Sequence, residues 1–196
     1  SDVSGMIYKV YGGAQVSITD CVVKGALNST STGQIAGFVN YQDYNSSCTL
    51  TNCLYAGENN ATERSYTFAN RANLNNCYYL NACGEAQGEQ VTEEQLKNGY
   101  VAHKLQAGRT DNSYWAQVLG EKTPSLYREA DKAKANYVYY NKVNNSWTCD
   151  DFRLADGKPL PIGIDFTAAK ASYERDLSIG KATLCLPYEL SVQGFK

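Results

Sequence analysis

The chain has 196 residues, a length that fits two small units with separate cores, and its 20 acidic and 18 basic side chains give a net charge of −2. Because no basic run is present, we expect neither nucleic acid nor an anionic membrane surface as a partner. Charged residues make up only 19%, whereas Tyr and Gly each number 16, and this composition favours strands and turns over long surface helices.

A short phrase recurs in the first half of the chain, as Ile18-Thr-Asp-Cys21, Leu50-Thr-Asn-Cys53 and Leu74-Asn-Asn-Cys77. A shift of 32, which is Cys53 minus Cys21, aligns residues 5–25 with 37–57 without a gap. The third copy follows at a step of 24, Cys77 minus Cys53, and residues 66–80 are predicted to be the last copy. A shared period with matched apolar positions is typical of stacked units that cannot bury their apolar face alone.

The phase of the apolar residues predicts how each copy is built. Val16 and Ile18 alternate inward, and the inward set then resumes three residues later at Cys21 and Val23. A step of three in a period-two pattern indicates a corner, and Asp and Asn suit a corner because they tolerate left-handed backbone. We therefore predict a parallel β-solenoid-like repeat region, in which residues 16–23 pair in parallel with 48–55. The predicted corners are at Asp20, Asn52 and Asn76.

Three of the seven cysteines, Cys21, Cys53 and Cys77, fall at the same place in the repeat and are predicted to stack inside it. A metal or redox site is one interpretation of this column. Packing is the favoured one, because no metal-type Cys-x-x-Cys pair occurs and buried cysteines usually behave as small hydrophobes. A disulfide between adjacent copies would be strained, since stacked strands lie about 4.8 Å apart.

The segment Gly37-Phe-Val39, the phrase ending at Cys53 and the closing Gly57 resemble the GLUG-type repeats of surface proteins from gut Bacteroidetes, over residues 5–80. Residues 92–124 resemble a phrase that often follows such repeats. The resemblance implies an extracellular or cell-surface location with attachment to the outer membrane. It also implies that the chain either stops inside a domain or defines an unusually short one, and that any contact with a membrane is made through an anchor outside this sequence.

The next segment predicts the one substantial helix of the chain. Thr92 and Gln95 fit a capping box, so a helix is expected to begin there, with an interruption at Gly99 and an end at Gly108. We expect this short helical cap to cover the open end of the repeat region, where an exposed edge would invite association. Trp115 and Leu119 are interpreted as core anchors; the alternative for Trp115 is a ligand-stacking side chain.

From Tyr137 onward the pattern predicts strands at 137–143, 146–154 and 160–166, joined by turns at Asn144-Asn145 and Asp156-Gly157. The composition of residues 166–175 fits a helix, but their resemblance to a Bacteroidetes surface-protein domain, with Thr183-Leu-Cys-Leu-Pro187 following, favours strands. The predicted architecture is mainly β. A repeat region (1–88) leads through a helical cap and connector (89–130) to a small, mostly antiparallel β domain (131–196).

Catalytic signals are sparse. His103 is the only histidine, so a His-rich metal site is excluded and any Ser-His-Asp or Cys-His arrangement would depend on it. Phosphate-binding Gly-x-x-x-x-Gly-Lys is absent. The repeat region offers carboxylates for glycoside chemistry, with Asp20 assigned to a corner and the rest to loops: Asp2, Asp20, Asp43, Glu58 and Glu63. We predict no catalytic residue, no metal and no cofactor.

Tyrosines supply the candidate binding residues, because a ring with a polar tip suits sugar or partner contacts. The predicted contact residues are Tyr8, Tyr11, Tyr41 and Tyr44, with Tyr55 on the same face. The alternative interpretation is that they are half-buried strand residues. The predicted function is a non-catalytic cell-surface or secreted module for adhesion, glycan contact or spacing. The alternative is a glycan-active enzyme, such as a β-helix lyase or glycosidase, or its accessory domain. We expect a monomer whose partner is a host or dietary glycan or a matrix protein.

Overall fold

The computed structural model describes residues 1–30, 32–61 and 64–175, and these residues are mainly β with two short α-helices and one 3₁₀ helix. The first repeat copy forms four strands: β1 Val3–Ser4, β2 Ile7–Val10, β3 Gln15–Thr19 and β4 Val22–Val23. The second copy forms four more: β5 Ile35–Ala36, β6 Val39–Gln42, β7 Ser47–Thr51 and β8 Leu54–Tyr55. The remaining strands of this half are β9 Asn73–Asn75, β10 Tyr78–Tyr79 and β11 Glu89–Gln90.

Strands of successive copies pair in parallel, as predicted. Val16 lies opposite Cys48 and Val23 lies opposite Tyr55, so both pairs keep the sequence offset of 32. In the third copy Leu74 lies opposite Leu50 at the shorter offset of 24. Gly37 makes this close stacking tolerable, because a Cβ at that position would lie 1.9 Å from the Thr67 carbonyl oxygen.

The predicted corners are confirmed. Asp20, Asn52 and Asn76 have left-handed backbone, with φ of 52°, 54° and 52°. They are connected from copy to copy: the Asp20 N–H donates to the Thr51 carbonyl, and the Asn52 N–H donates to the Asn75 carbonyl. The Asn76 side-chain amide also donates to Asn52 Oδ1 over 2.7 Å. These contacts repeat the same local geometry at each corner.

A partial fourth copy follows the third, so the prediction that residues 66–80 are the last copy is wrong. Strand β11 pairs in parallel with β10, and Glu85 bridges Tyr66. Gln87 completes this layer, because its Oε1 accepts the N–H groups of Phe68 and Ala69 while its Nε2 donates to the Ala69 carbonyl. A glutamine amide offers the same donor and acceptor as a peptide group, so one side chain replaces a strand here.

The helices begin and break where the sequence indicates. Thr92 and Gln95 form both bonds of a capping box before α1 (Glu93–Lys97), Gly99 separates α1 from α2 (Tyr100–Gln106), and Gly108 follows with φ of 66°. The predicted position of the cap is wrong, however. Leu96 and Leu105 pack with Leu54 and Tyr78 on the outer face of the β4–β8–β10 sheet, whereas the edge of β10 is covered by β11.

The C-terminal half contains strands β12 Trp115–Val118, β13 Ser125–Leu126, β14 Tyr137–Asn141, β15 Ser146–Cys149, β16 Phe152–Ala155, β17 Thr167–Ala168 and β18 Ala171–Glu174. A 3₁₀ helix spans Glu129–Ala133. Five strands form one sheet in the order β13-β12-β14-β15-β17, which is antiparallel except for the β15–β17 pair. Strands from both sides of residue 130 therefore share a sheet.

The predicted hairpin of β14 and β15 is confirmed, as are strands within residues 166–175. The second predicted hairpin is wrong: residues 160–166 form no strand, and β16 instead pairs in parallel with β18. Residues 183–187, within the rest of the predicted third unit, lie outside the described residues. Trp115 and Leu119 are buried core residues, as predicted, in the cluster that joins the repeat region to the second sheet.

Candidate functional site

Four exposed tyrosines lie on the paired strands β2 and β6 and in the turns that follow them. Tyr8, Tyr11, Tyr41 and Tyr44, here called the tyrosine strip, each expose between 44% and 88% of their surface. All four are therefore accessible, as a contact role requires. Tyr55 does not belong with them, because it lies inside the repeat core with no exposed surface. Its inward position follows from strand alternation, since its neighbour Leu54 faces out.

The turns that carry Tyr11 and Tyr44 are held together by Asp43. Its carboxylate accepts the Gly12 N–H from the first copy at 2.8 Å and the N–H groups of Asn45 and Ser46 in its own turn. The hydrogen bonds from Ser46 and Gly12 lower the pKa of Asp43 below its usual value. Asp43 therefore acts as a turn-forming carboxylate, and it holds the backbone of the two turns that carry Tyr11 and Tyr44.

Two basic side chains lie against the tyrosine strip. Lys9 lies opposite Tyr41 in the parallel register, with its Nζ 5.2 Å from the Tyr8 ring centre and 5.9 Å from the Tyr41 ring centre. The Arg71 guanidinium carbon lies 3.9 Å from the centre of the Tyr44 ring. These are cation–π distances. The strip thus combines exposed rings with positive charge, a feature that sequence reasoning missed because Arg71 comes from the third copy.

Asp20 has a second role besides the corner. Arg109 donates to both of its carboxylate oxygens at 2.8 and 2.7 Å, and Trp115 Nε1 donates to Oδ1 at 2.8 Å. The Arg109 guanidinium also stacks 3.7 Å from the ring centre of Tyr114. This cluster ties the repeat region to the segment after α2. Nothing in the local sequence around Asp20 signals a partner 89 residues away.

The cysteine column lines the inside of the corners. The thiols of Cys21, Cys53 and Cys77 each donate to the carbonyl two residues earlier, at 3.3, 3.4 and 3.4 Å. Burial raises the pKa of Cys83 and of Cys149 to about 11. All six cysteines within residues 1–175 are thiols, and Cys185 lies outside the described residues. Cys83 and Cys149 are therefore buried, protonated thiols, which have little nucleophilic character.

A separate open cleft of about 580 Å³ lies between α2, β15 and residues 162–165. Tyr100, His103, Trp147, Ile162 and Asp165 line it, and the His103 and Trp147 ring centres are 5.6 Å apart. Partial burial and the neighbouring Lys104 lower the pKa of His103, so the imidazole is neutral near pH 7. The sequence could not predict this cleft, because its walls come from three separate segments.

Comparison of the chain with protein-family models, curated proteins and solved structures finds no match. Within the described ranges, no group of three or more His, Cys, Asp or Glu side chains is placed to hold a metal ion. None of the helices among these residues has both the length and the apolar character needed to cross a membrane. Glu63, one of the carboxylates considered from sequence, lies outside the described residues, whereas Glu58 is described and exposed.

Proposed function

We propose that this chain is a non-catalytic module of a secreted or surface-displayed protein, and that the tyrosine strip contacts a glycan. The observation that carries the proposal is the exposure of Tyr8, Tyr11, Tyr41 and Tyr44 on two paired strands and the turns that follow them. Several large aromatic side chains exposed near one another form a patch of the kind that often marks a binding surface. Tyrosine rings offer an apolar face to the C–H face of a sugar and a hydroxyl to its polar groups.

The proposal includes a parallel β-solenoid architecture for the repeat region. Three features support it: the constant offset of 32 between β3 and β7 and between β4 and β8, the left-handed corner in each copy, and the partial fourth layer closed by Gln87. A stack of this kind makes an extended surface of regularly spaced side chains. Together with the resemblance to GLUG-type repeats of Bacteroidetes surface proteins, it favours display outside the cell.

The bonding of the carboxylates supports a binding role over glycoside cleavage. Asp20 is engaged by Arg109 and Trp115, and Asp43 accepts three backbone N–H groups. A glycosidase needs one carboxyl group that exchanges a proton and a second that acts as nucleophile or base. Neither Asp20 nor Asp43 can take these roles without giving up bonds that hold the fold together.

The direct test is a glycan array probed with the chain, combined with an assay for released reducing ends and unsaturated sugars. We expect binding without turnover, weak for one copy and stronger when several copies are displayed on a bead, because multivalency raises avidity without new contacts. Tyr41→Ala and Tyr44→Ala should each weaken binding. Val143→Ala, which removes an exposed side chain from a distant turn, is the matched control and should have no effect.

Two results would overturn the proposal. One is reproducible glycan cleavage that disappears on substitution of a single carboxylate. The other is array binding that survives the combined Tyr41→Ala and Tyr44→Ala substitutions, since the strip would then play no part in recognition.

A further inference from the structure

The basic and aromatic side chains of the strip follow the repeat from copy to copy. Lys9 of the first copy lies opposite Tyr41 of the second, and Arg71 lies in the turn after Ala69, which bridges Val39. The first copy thus supplies the Lys9 cation, the second copy supplies the Tyr41 and Tyr44 rings, and the third copy supplies the Arg71 cation. Because neighbouring strands lie about 4.8 Å apart, the first and third copies, which carry Lys9 and Arg71, are stacked roughly 10 Å apart.

Neither cation is neutralised by a nearby acid. Among the described residues, no carboxylate oxygen lies within 4 Å of Lys9 or Arg71, whereas Arg109 and Arg153 each form an ion pair. Asp43 is close in sequence to Tyr44, but its oxygens already accept the N–H groups of Gly12, Asn45 and Ser46. The positive charge of the strip is thus open to a ligand.

The stacking of Arg71 on Tyr44 orients the guanidinium for such a ligand. A guanidinium that lies on a ring face keeps its N–H groups at the edge of its own plane, where they can bind both oxygens of a carboxylate. The Lys9 ammonium, between the Tyr8 and Tyr41 rings, offers a point charge at the other end of the strip. The rings between the two cations can hold the sugars that carry the acidic groups.

We propose that the tyrosine strip recognises an acidic oligosaccharide with carboxylates on more than one sugar, the rings stacking on Tyr41 and Tyr44 and the carboxylates pairing with Lys9 and Arg71. This inference rests on the proposed glycan-contact function and specifies the chemistry of its ligand. Positive charge beside accessible rings selects an anionic ligand over a neutral one, because charge complementarity governs which partners are accepted.

The test compares two probes of equal size: a hyaluronan octasaccharide, and the same octasaccharide with its carboxyl groups reduced to alcohols. The double variant Lys9→Gln, Arg71→Gln is compared with Lys122→Gln, Lys142→Gln, which changes the net charge equally at two exposed lysines far along the chain. We expect the native chain to bind the acidic probe about five- to tenfold more tightly than the reduced one, the effect of two exposed charge pairs. The strip variant should lose this preference, and the control should keep it.

The outcomes separate this inference from the proposed function. Equal affinity for the acidic and reduced probes, lost on Tyr41→Ala, would overturn the acidic ligand and leave glycan contact standing. Failure to bind either probe, together with an empty glycan array, would overturn both. Preference for the acidic probe that persists in the Lys9→Gln, Arg71→Gln variant would contradict the assigned cations. Raising the salt concentration should weaken binding of the acidic probe alone, because exposed charges are screened.

Discussion

Asn52→Val tests the corner that makes the repeat region possible. Asn52 is buried in left-handed backbone with φ of 54°, and its Oδ1 accepts the Asn76 side-chain amide at 2.7 Å. Holding a β-branched residue in this conformation costs about 1–3 kcal/mol. Loss of the hydrogen bond costs a further 0.5–1.5 kcal/mol or so. The two terms predict a loss of about 2–4 kcal/mol in the free energy of unfolding.

Thermal and urea unfolding followed by circular dichroism measure this loss. For a chain of this size the predicted change lowers the melting temperature by roughly 4–16 °C. Asn52→Gly is the matched control, because glycine accepts left-handed backbone and removes the same side-chain bond. The valine variant should therefore be less stable than the glycine variant by at least about 1 kcal/mol. Equal stability of the two variants would refute the assignment of backbone strain to this corner.

The remaining predictions test the close packing at Gly37, the completion of the last layer by Gln87, and the pH dependence of stability that arises from Cys149. Gly37→Ala should cost about 3 kcal/mol or more, since the new Cβ meets a carbonyl oxygen at 1.9 Å, whereas Gly25→Ala meets nothing within 4 Å and should be close to neutral in urea unfolding. Gln87→Leu should cost about 2–4 kcal/mol and expose the Phe68 and Ala69 amides to hydrogen exchange, because these two N–H groups and the Ala69 carbonyl lose their partner, while Gln87→Glu keeps the acceptor and should cost less. Burial holds the pKa of Cys149 at about 11, above its unfolded value. The contribution of this thiol to stability is therefore full at neutral pH and is lost as the pH rises from about 9 toward 11. The free energy of unfolding of Cys149→Ala should decline less steeply over this pH range than that of the native chain. An unchanged decline would contradict the raised pKa of Cys149.

The repeat could be predicted from the sequence because its signals are local and recur. The step of three between Ile18 and Cys21 returns in each copy with Asp or Asn before the cysteine, and left-handed backbone is the simplest geometry that fits it. The same holds for the capping box at Thr92, which depends on residues three positions apart. The exposure of the tyrosine strip was harder to predict from the sequence, because strand alternation alone does not distinguish the exposed Tyr41 from the buried Tyr55.

Features that depend on distant partners could not be predicted. The Gln87 side chain stands in for a strand, and no periodic pattern marks a single side chain with that role. Residues 160–166 follow the turn at Asp156-Gly157, and their pattern predicts a hairpin strand. Strand β16 pairs instead with β18, which comes later in the chain. The helices have an apolar face that fits either the open end or the outer face of the β4–β8–β10 sheet. The helices pack on the outer face because Leu54 and Tyr78 supply apolar side chains there.

An NMR titration of the ¹⁵N-labelled chain with the hyaluronan octasaccharide, in which amide shifts and the intact length of the sugar are followed together, tests most directly whether the tyrosine strip binds an acidic glycan without cleaving it. We expect shifts to concentrate at residues 7–11, 39–45 and 69–71, where the tyrosines and the two cations lie, and the octasaccharide to be recovered uncut. Shifts centred instead on the cleft of His103 and Trp147, or cleavage of the sugar during the titration, would contradict this expectation.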